Sequence, residues 1–481
     1  MTVTDVFALL PLIALAMTTG VVMLGIAIRR NHLLTVSLTL LGLILALVLI
    51  PITSSADARQ ITSLLVVDSY SRFYMALIIS GSFIVGVQSY GYLRRCACKQ
   101  EEFYVLLLLA TLGSAVLASS SHFASFFLGL ETLSIALYTM IAYRRVIRNS
   151  IEAGIKYLVL AAAAAAFLLF GMALIYAYTG TLQFTHMAQL LSSSLDHSDA
   201  LLLAGFGMLI IGISFKLALV PFHMWTPDVY EGAPAPVTGF IATVSKGGVF
   251  AILLRYFLQV DLNSYDSIVL VFSIIAAATI LVGNLLALLQ DNVKRMLAYS
   301  SIAHFGYLLV ALLASGTYGV SAVTFYLVAY FVMALGAFGV MTALSDPERD
   351  ADGIDDYRGL FQSRPWLTVI MTACLLSLAG IPLTAGFIGK YLVLSAGADS
   401  ALWGLVLVMV VGSAIGLYYY LRVILAMFSQ PGRTQSTRAI YWNQPLAGSL
   451  VLAALLLLLV WLGVYPAPLL DAIQRTVSGF L

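Results

Sequence analysis

Almost the whole chain alternates long apolar runs with short polar punctuation. A membrane crossing takes about 20 apolar residues, each rising 1.5 Å along a helix. The pattern resolves into fourteen such runs, beginning near residues 5, 33, 71, 103, 122, 151, 201, 237, 267, 297, 318, 366, 402 and 446. It therefore predicts an all-α integral membrane protein with 14 transmembrane helices. Two runs depart from regularity: the seventh, from about Leu201 to Glu231, carries Pro221 in "LALVPFHMWTP", and the twelfth, from about Trp366 to Leu394, carries Pro382 in "LAGIPLTAGF". Proline removes an intrahelical hydrogen bond and clashes with the preceding turn, so both helices are expected to break inside the membrane. They lie five runs apart, an odd number, and so cross in opposite directions. That is the arrangement of two inverted five-helix repeats, runs four to eight and nine to thirteen, with broken helices at corresponding positions marking the transport route. The division expected is an N-terminal three-helix segment over 1–100, a first repeat over 101–260, an inverted second repeat over 261–430 and a C-terminal helix over 431–481.

Composition agrees: the chain is 61% hydrophobic and 10% charged, with a mean hydropathy of +1.01, which excludes a soluble globular domain. A net charge of +2 gives no case for a nucleic-acid partner. The first run has no basic residue before it and its first charge is Asp5, so it reads as a retained span rather than a signal. Basic residues fall in alternate loops: Arg29 and Arg30; Arg94, Arg95 and Lys99; Arg144, Arg145 and Arg148; Lys294 and Arg295; Arg349, Arg358 and Arg364; Arg433 and Arg438. Only Arg59 and Arg475 occupy the opposite set. The positive-inside rule then puts both termini on the outer, periplasmic side of a bacterial inner membrane. Arg72, Arg255 and Arg422 lie near run ends, where an arginine is expected to snorkel. Cys96, Cys98 and Cys374 form neither a disulfide framework nor a metal-binding repeat.

Lysines stand where the hydrophobic pattern disfavours them. Lys156, Lys216, Lys246 and Lys390 each fall inside an apolar run. An ammonium at a helix centre costs about 2.5 to 3.5 kcal/mol even on lenient insertion scales, so these groups demand partners or a transport role. Two carboxylates, Glu131 and Glu152, also lie inside the runs, too few for four lysines. Glu152 stands four residues before Lys156 and makes a local ion pair in the favourable orientation. Glu131, in "FFLGLETLSIALY", has no sequence-local partner, and Lys216 beside the proline break is the partner chosen for it. Lys246, in "IATVSKGGVF", is followed by two glycines that leave room for water or a neighbouring helix. His304, in "SSIAHFGYLL", lies between the two halves and is placed to bridge Lys246 and Lys390, since imidazole both donates and accepts. His223 follows the Pro221 break, either capping freed carbonyls or moving protons. Tyr418, Tyr419 and Tyr420 read as part of an interfacial belt. No GxGxxG after a strand, phosphate loop, HExxH or CxxC occurs, so neither a cofactor nor a metal is expected in this chain.

The run "FKLALVPFHMWTPDVYEGAPAPVTGFIATVSK", from Phe215 to Lys246, resembles the antiporter-like membrane subunits shared by respiratory complex I and multisubunit cation/proton antiporters. Its "PFHMWTPDVYEGAP" form is similar to the N-type subunits of bacterial NADH:quinone oxidoreductases. Supporting segments are "LGLETLSIALY", "IEAGIKYLVLAA", "NVKRMLAYSSIAHFGYLL" and "LSLAGIPLTAGFIGKYLV". The resemblance implies a gating ion pair at Glu131 and Lys216, a central relay at Lys246, and an outward lysine at Lys390. M-type relatives carry a glutamate at that last position and L-type relatives continue into a long lateral helix, so the chain is expected to be neither. FMN, iron-sulfur clusters, NADH and quinone are implied for partner subunits, which comprise other membrane-arm subunits and, through them, a peripheral redox arm. The function expected is proton translocation coupled to NADH oxidation and quinone reduction in those partners, with proton intake near Lys156. A subunit of a gradient-driven cation/proton antiporter is the alternative, and a structural spacer the third reading.

Overall fold

The computed structural model describes residues 2–53, 59–96, 99–145, 147–193, 199–314, 316–346, 349–430 and 445–478; Cys98, Arg433 and Arg438 lie outside them. The N-terminal part comprises α1 (Val3–Ala8), α2 (Leu10–Ile28), α3 (His32–Ile52) and α4 (Ser69–Leu93). Then come α5 (Glu102–Ser119), α6 (Phe123–Ile141), α7 (Arg148–Thr179), α8 (Phe184–Ser193), α9 (Ala200–Leu217), α10 (Trp225–Gly232), α11 (Ala235–Phe240) and α12 (Lys246–Gln259). The second half has α13 (Asp266–Leu288), α14 (Val293–Leu313), α15 (Gly316–Leu344), α16 (Leu360–Ser363), α17 (Pro365–Ala379), α18 (Ala385–Asp399) and α19 (Trp403–Phe428), followed by α20 (Leu446–Val464) and α21 (Ala467–Ser478). Among the described residues, thirteen helical spans are long and apolar enough to cross a membrane, α11 to α12 counting as one. The twelfth expected run is divided between α17 and α18, each too short to cross alone.

Both predicted breaks are present. α9 stops at Leu217, Ala218 turns into the left-handed region at φ 61°, and α10 restarts at Trp225. α17 stops at Ala379, Gly380 turns at φ 88° and Leu383 at φ 69°, and α18 restarts at Ala385. Glycine takes such a φ without a Cβ penalty. The sequence reading missed small elements outside the apolar runs: a β-ribbon pairing β1 (Arg59–Ile61) with β2 (Leu65–Val67), and the short helices α8 and α21.

Small residues set the helix spacing. α7 and α9 approach so closely that a Cβ on Gly171 would lie 2.7 Å from the Gly205 carbonyl oxygen, the close contact that lets helices associate without a hydrophobic driving force. The spans α11 to α12, α14 and α15 are the most deeply buried and form the centre of the molecule. α2, α3 and α20 present broad apolar faces outward.

One topological expectation needs correction. Arg255 does not snorkel: it is fully buried on α12, and its guanidinium donates to both oxygens of Asp68 at 2.8 and 2.9 Å. Asp68 caps α4, accepting from the Ser71 amide at 2.7 Å. In a low-dielectric setting a bidentate carboxylate answers the guanidinium better than a long reach to water.

Candidate functional site: a buried file of lysines

The helix breaks explain where two of the lysines sit. A helix end leaves carbonyls without partners and a partial negative charge, which favours a cation. Lys216 occupies the last turn of α9, 6% exposed, and Lys390 on α18 folds back to the end of α17, where it donates to the Ala379 carbonyl at 2.8 Å and to Ser413 Oγ at 2.7 Å. The Lys390 side chain crosses the Gly380 turn so closely that a Cβ there would lie 2.8 Å from Lys390 Cδ. The first break is tied to the second half by the Val220 amide, which donates to Thr279 Oγ1 on α13 at 3.0 Å.

Lys246 has no exposed surface and immediately follows a π-helical turn over Ile241–Ser245. Such a turn shifts the side-chain register and is common at functional sites. The ammonium donates to Ser301 Oγ on α14 at 3.0 Å and lies 4.9 Å from the Phe305 ring centroid and 5.7 Å from that of Tyr230. Among the described residues, no carboxylate oxygen comes within 4.0 Å of Lys216, Lys246 or Lys390. Hydroxyls, carbonyls and aromatic faces do the compensating.

The expected pair of Glu131 and Lys216 is therefore not closed. Lys216 Nζ donates to Ser134 Oγ at 2.7 Å, one turn further along α6, and faces the Tyr157 ring at 5.7 Å. Glu131 Oε1 is buried without a hydrogen-bond partner. His223 is buried beside the first break, where its ring interacts with the Pro221 backbone although neither ring nitrogen reaches close hydrogen-bond geometry. His304 touches neither lysine: Nδ1 lies 2.5 Å from Tyr326 Oη and Nε2 3.2 Å from Tyr420 Oη.

Lys156 belongs elsewhere. Its side chain is 44% exposed and pairs with Glu152 at 2.9 Å, as the four-residue spacing implies, and with Asp228 at 2.8 Å. Arg295 completes the cluster by contacting Asp228 at 2.8 Å and Glu231 at 2.7 Å. Lys156, Glu152, Asp228 and Glu231 line a cavity of about 150 Å³. Lys156 is not a buried lysine: it is partly exposed, and Asp228, distant in sequence, supplies a second carboxylate beside Glu152.

Two sets of residues escaped the sequence. Lys294, counted among loop cations, is 1% exposed and donates to Asp350 Oδ2 at 2.5 Å and to the Ala233 carbonyl at 2.7 Å. Asp350 also accepts from Tyr92 at 2.8 Å and from the Ala235 amide at 3.0 Å, so one carboxylate ties α4, α11 and α14 together. No local spacing could pair residues 56 positions apart. Tyr419 and Tyr420, expected in an interfacial belt with Tyr418, are buried, and only Tyr418 is exposed. Consecutive helical residues lie about 100° apart, so the triplet was bound to split between faces.

Two broken helices with buried cations at their half-helix ends are the architecture of an antiporter-like membrane fold. A family model described as "NADH:quinone oxidoreductase/Mrp antiporter, TM" matches residues 120–416, and the chain belongs to that family. Its fold is similar to a chain of respiratory complex I from Thermus thermophilus, at 34% identity and a TM-score of 0.82, covering 96% of this chain and 99% of that one. It is also similar to a chain of an archaeal membrane-bound sulfane sulfur reductase, at 25% identity and a TM-score of 0.87, covering 99% and 98%. A chain of the Mrp complex from Dietzia sp. DQ12-45-1b shares the fold at 20% identity and a TM-score of 0.86, covering 100% and 98%.

Proposed function

We propose that the chain is a proton-translocating, N-type membrane subunit of a bacterial NADH:quinone oxidoreductase, working beside other membrane-arm subunits in the inner membrane with both termini periplasmic. Partner subunits hold the FMN, iron-sulfur clusters, NADH and quinone; this chain contributes the translocase and no redox chemistry. The observation that carries the reading is the file of three buried lysines, Lys216, Lys246 and Lys390, none with a carboxylate within 4.0 Å among the described residues. A lysine held by neutral groups can exchange its proton without leaving a buried carboxylate behind.

A lysine lies at each helix break, Lys216 at the end of α9 and Lys390 against the end of α17, which supports reading the two halves as inverted repeats. The charged cavity at Lys156 serves as intake, and closing or opening the Glu131 and Lys216 pair changes the charge facing Lys246. The proton passes by way of His304 toward Lys390 and the periplasm. Moving one charge against 100 mV takes about 2.3 kcal/mol, which a change of about two units in proton affinity covers at about 1.36 kcal/mol per unit.

Replacing Lys246 with Ala is expected to abolish NADH-linked pumping in membrane vesicles while partner subunits still assemble. Normal pumping per assembled complex would overturn the relay. The likeness to the Mrp complex chain supports a second reading, a gradient-driven cation/proton antiporter subunit. Purifying the tagged chain in mild detergent separates the two. Inhibitor-sensitive NADH oxidation with flavin and iron supports the first, and sodium-dependent, NADH-independent proton exchange without a flavoprotein supports the second.

A further inference from the structure

The file is interrupted between Lys246 and Lys390, and what fills the interruption is a set of hydroxyls. Ser300 and Ser301 are neighbours on α14 and turn to different partners. Ser301 accepts from Lys246 at 3.0 Å, while Ser300 Oγ is hydrogen-bonded to Tyr420 Oη. Tyr420 Oη reaches His304 Nε2 at 3.2 Å, and His304 Nδ1 reaches Tyr326 Oη at 2.5 Å. All four side chains are buried. Tyr326 in turn lies against Gly389, the residue before Lys390: a Cβ there would come within 2.5 Å of Tyr326 Cδ2.

We propose that Ser300, Tyr420, His304 and Tyr326 form one hydrogen-bonded wire that carries the proton from the Lys246 end to the Lys390 end, with Tyr420 and Tyr326 as its two relay residues. The inference rests on the proton-translocation reading above. A neutral imidazole has one donor and one acceptor nitrogen, and each hydroxyl both donates and accepts, so a bonded row of these groups has a direction. When a proton arrives at Ser300, the hydroxyl proton of Ser300 moves to Tyr420, that of Tyr420 to His304 Nε2, and that on Nδ1 to Tyr326, which releases its own toward Lys390. Each N–H or O–H bond made is matched by one broken; one proton enters and one leaves. The row is then left with its direction reversed, and the imidazole must exchange tautomers before a second proton can follow. Ring centroids of Tyr307, Tyr326 and Tyr330 lie 5.5, 5.9 and 5.4 Å from that of His304, packing that resists rotation of the ring.

The test uses the assembled complex in inverted membrane vesicles, with the variants Tyr326→Phe, Tyr420→Phe, their double and Lys246→Ala. Phenylalanine keeps each ring and deletes only the hydroxyl. The expected result is wild-type amounts of subunit in the isolated complex, with protons moved per electron falling roughly tenfold or more in each tyrosine variant, a threshold set below the about 10²- to 10⁴-fold effect of losing a proton-transfer group. A merely structural role would lower the amount assembled and leave protons per electron unchanged. If Lys246→Ala abolishes pumping while the double variant pumps within about twofold of wild type, the wire is refuted and the translocation reading stands. If Lys246→Ala pumps normally, both fall together.

Discussion

Exchanging Asp68 for Asn should uncover how much of the fold depends on one buried charge. Arg255 has no exposed surface, and Asp68 contacts it through both oxygens at 2.8 and 2.9 Å. Asparagine caps a helix as well as aspartate does, so Asp68→Asn keeps the α4 cap and removes only the charge. A buried ion deprived of its partner costs about 3 to 5 kcal/mol, whereas removing both members of a buried pair is often near neutral. Asp68→Asn should therefore destabilise the detergent-solubilised protein by about 3 kcal/mol or more, read from its midpoint of chemical denaturation. Arg255→Met added to it should restore most of that loss. The pH dependence has a definite sign. Burial raises the Asp68 carboxyl, but the Arg255 charge and hydrogen bonds from Arg255 and Ser71 outweigh it and hold the group below its ordinary value. A carboxyl lowered in the folded state contributes stability that is present above its unfolded pKa of about 3.9 and lost as pH falls through the folded value. The wild type should thus lose none of this contribution between neutrality and about pH 5. If the two single losses simply add in the double variant, within about 0.5 kcal/mol, the pair is not coupled and the reasoning fails.

Asp350→Asn should weaken the junction of α4, α11 and α14 by about 3 kcal/mol, since Lys294 keeps only carbonyl partners; the check is the midpoint of thermal unfolding together with the amount of subunit retained in the assembled complex. Gly389→Ala should displace Tyr326 and lower protons per electron as Tyr326→Phe does, because its Cβ would fall 2.5 Å from Tyr326 Cδ2; a normal ratio would show that the contact relaxes freely. Ser134→Ala removes the hydrogen bond that Lys216 now makes at 2.7 Å and should favour its pairing with Glu131. The expected outcome is slower pumping with unchanged assembly, measured in the same vesicles, and an unchanged rate would dissociate Ser134 from gating.

The broken helices were legible because proline and glycine act locally: Pro221 and Pro382 could not continue a helix whatever packed around them. Three of the four lysines were legible for a similar reason, since a cation in an apolar run is conspicuous without any knowledge of its neighbours. Their partners were not. Ser134, Ser301 and Ser413 are small polar residues whose interest comes only from the ammonium that points at them. Tyr420 belonged by pattern to an aromatic belt, and only the rotation of α19 put its hydroxyl inside while leaving Tyr418 outside. Lys294 was concealed by its place in a loop count: it stands in the first turn of α14, and its burial depends on the distant Asp350 that crosses there.

The arrangement of partners bears directly on how the site can work. A lysine locked to a carboxylate is a stable structural pair, as Lys294 with Asp350 illustrates, and shifting its proton would strand a negative charge in low dielectric. Lys216, Lys246 and Lys390 are instead held by hydroxyls and, for Lys390, by a carbonyl that the helix break sets free. Those dipoles stabilise the ammonium without becoming charged when it deprotonates, so the cost of losing the proton is moderated at each step. Glu131, half-buried with its Oε1 unpartnered, stands one turn from the Ser134 hydroxyl that holds Lys216 and is the nearest candidate countercharge for it among the described residues. On the proposed function, an approach of Glu131 to Lys216 would raise that lysine's hold on a proton and a retreat would lower it, so one small displacement at this point would be enough to bias the lysine.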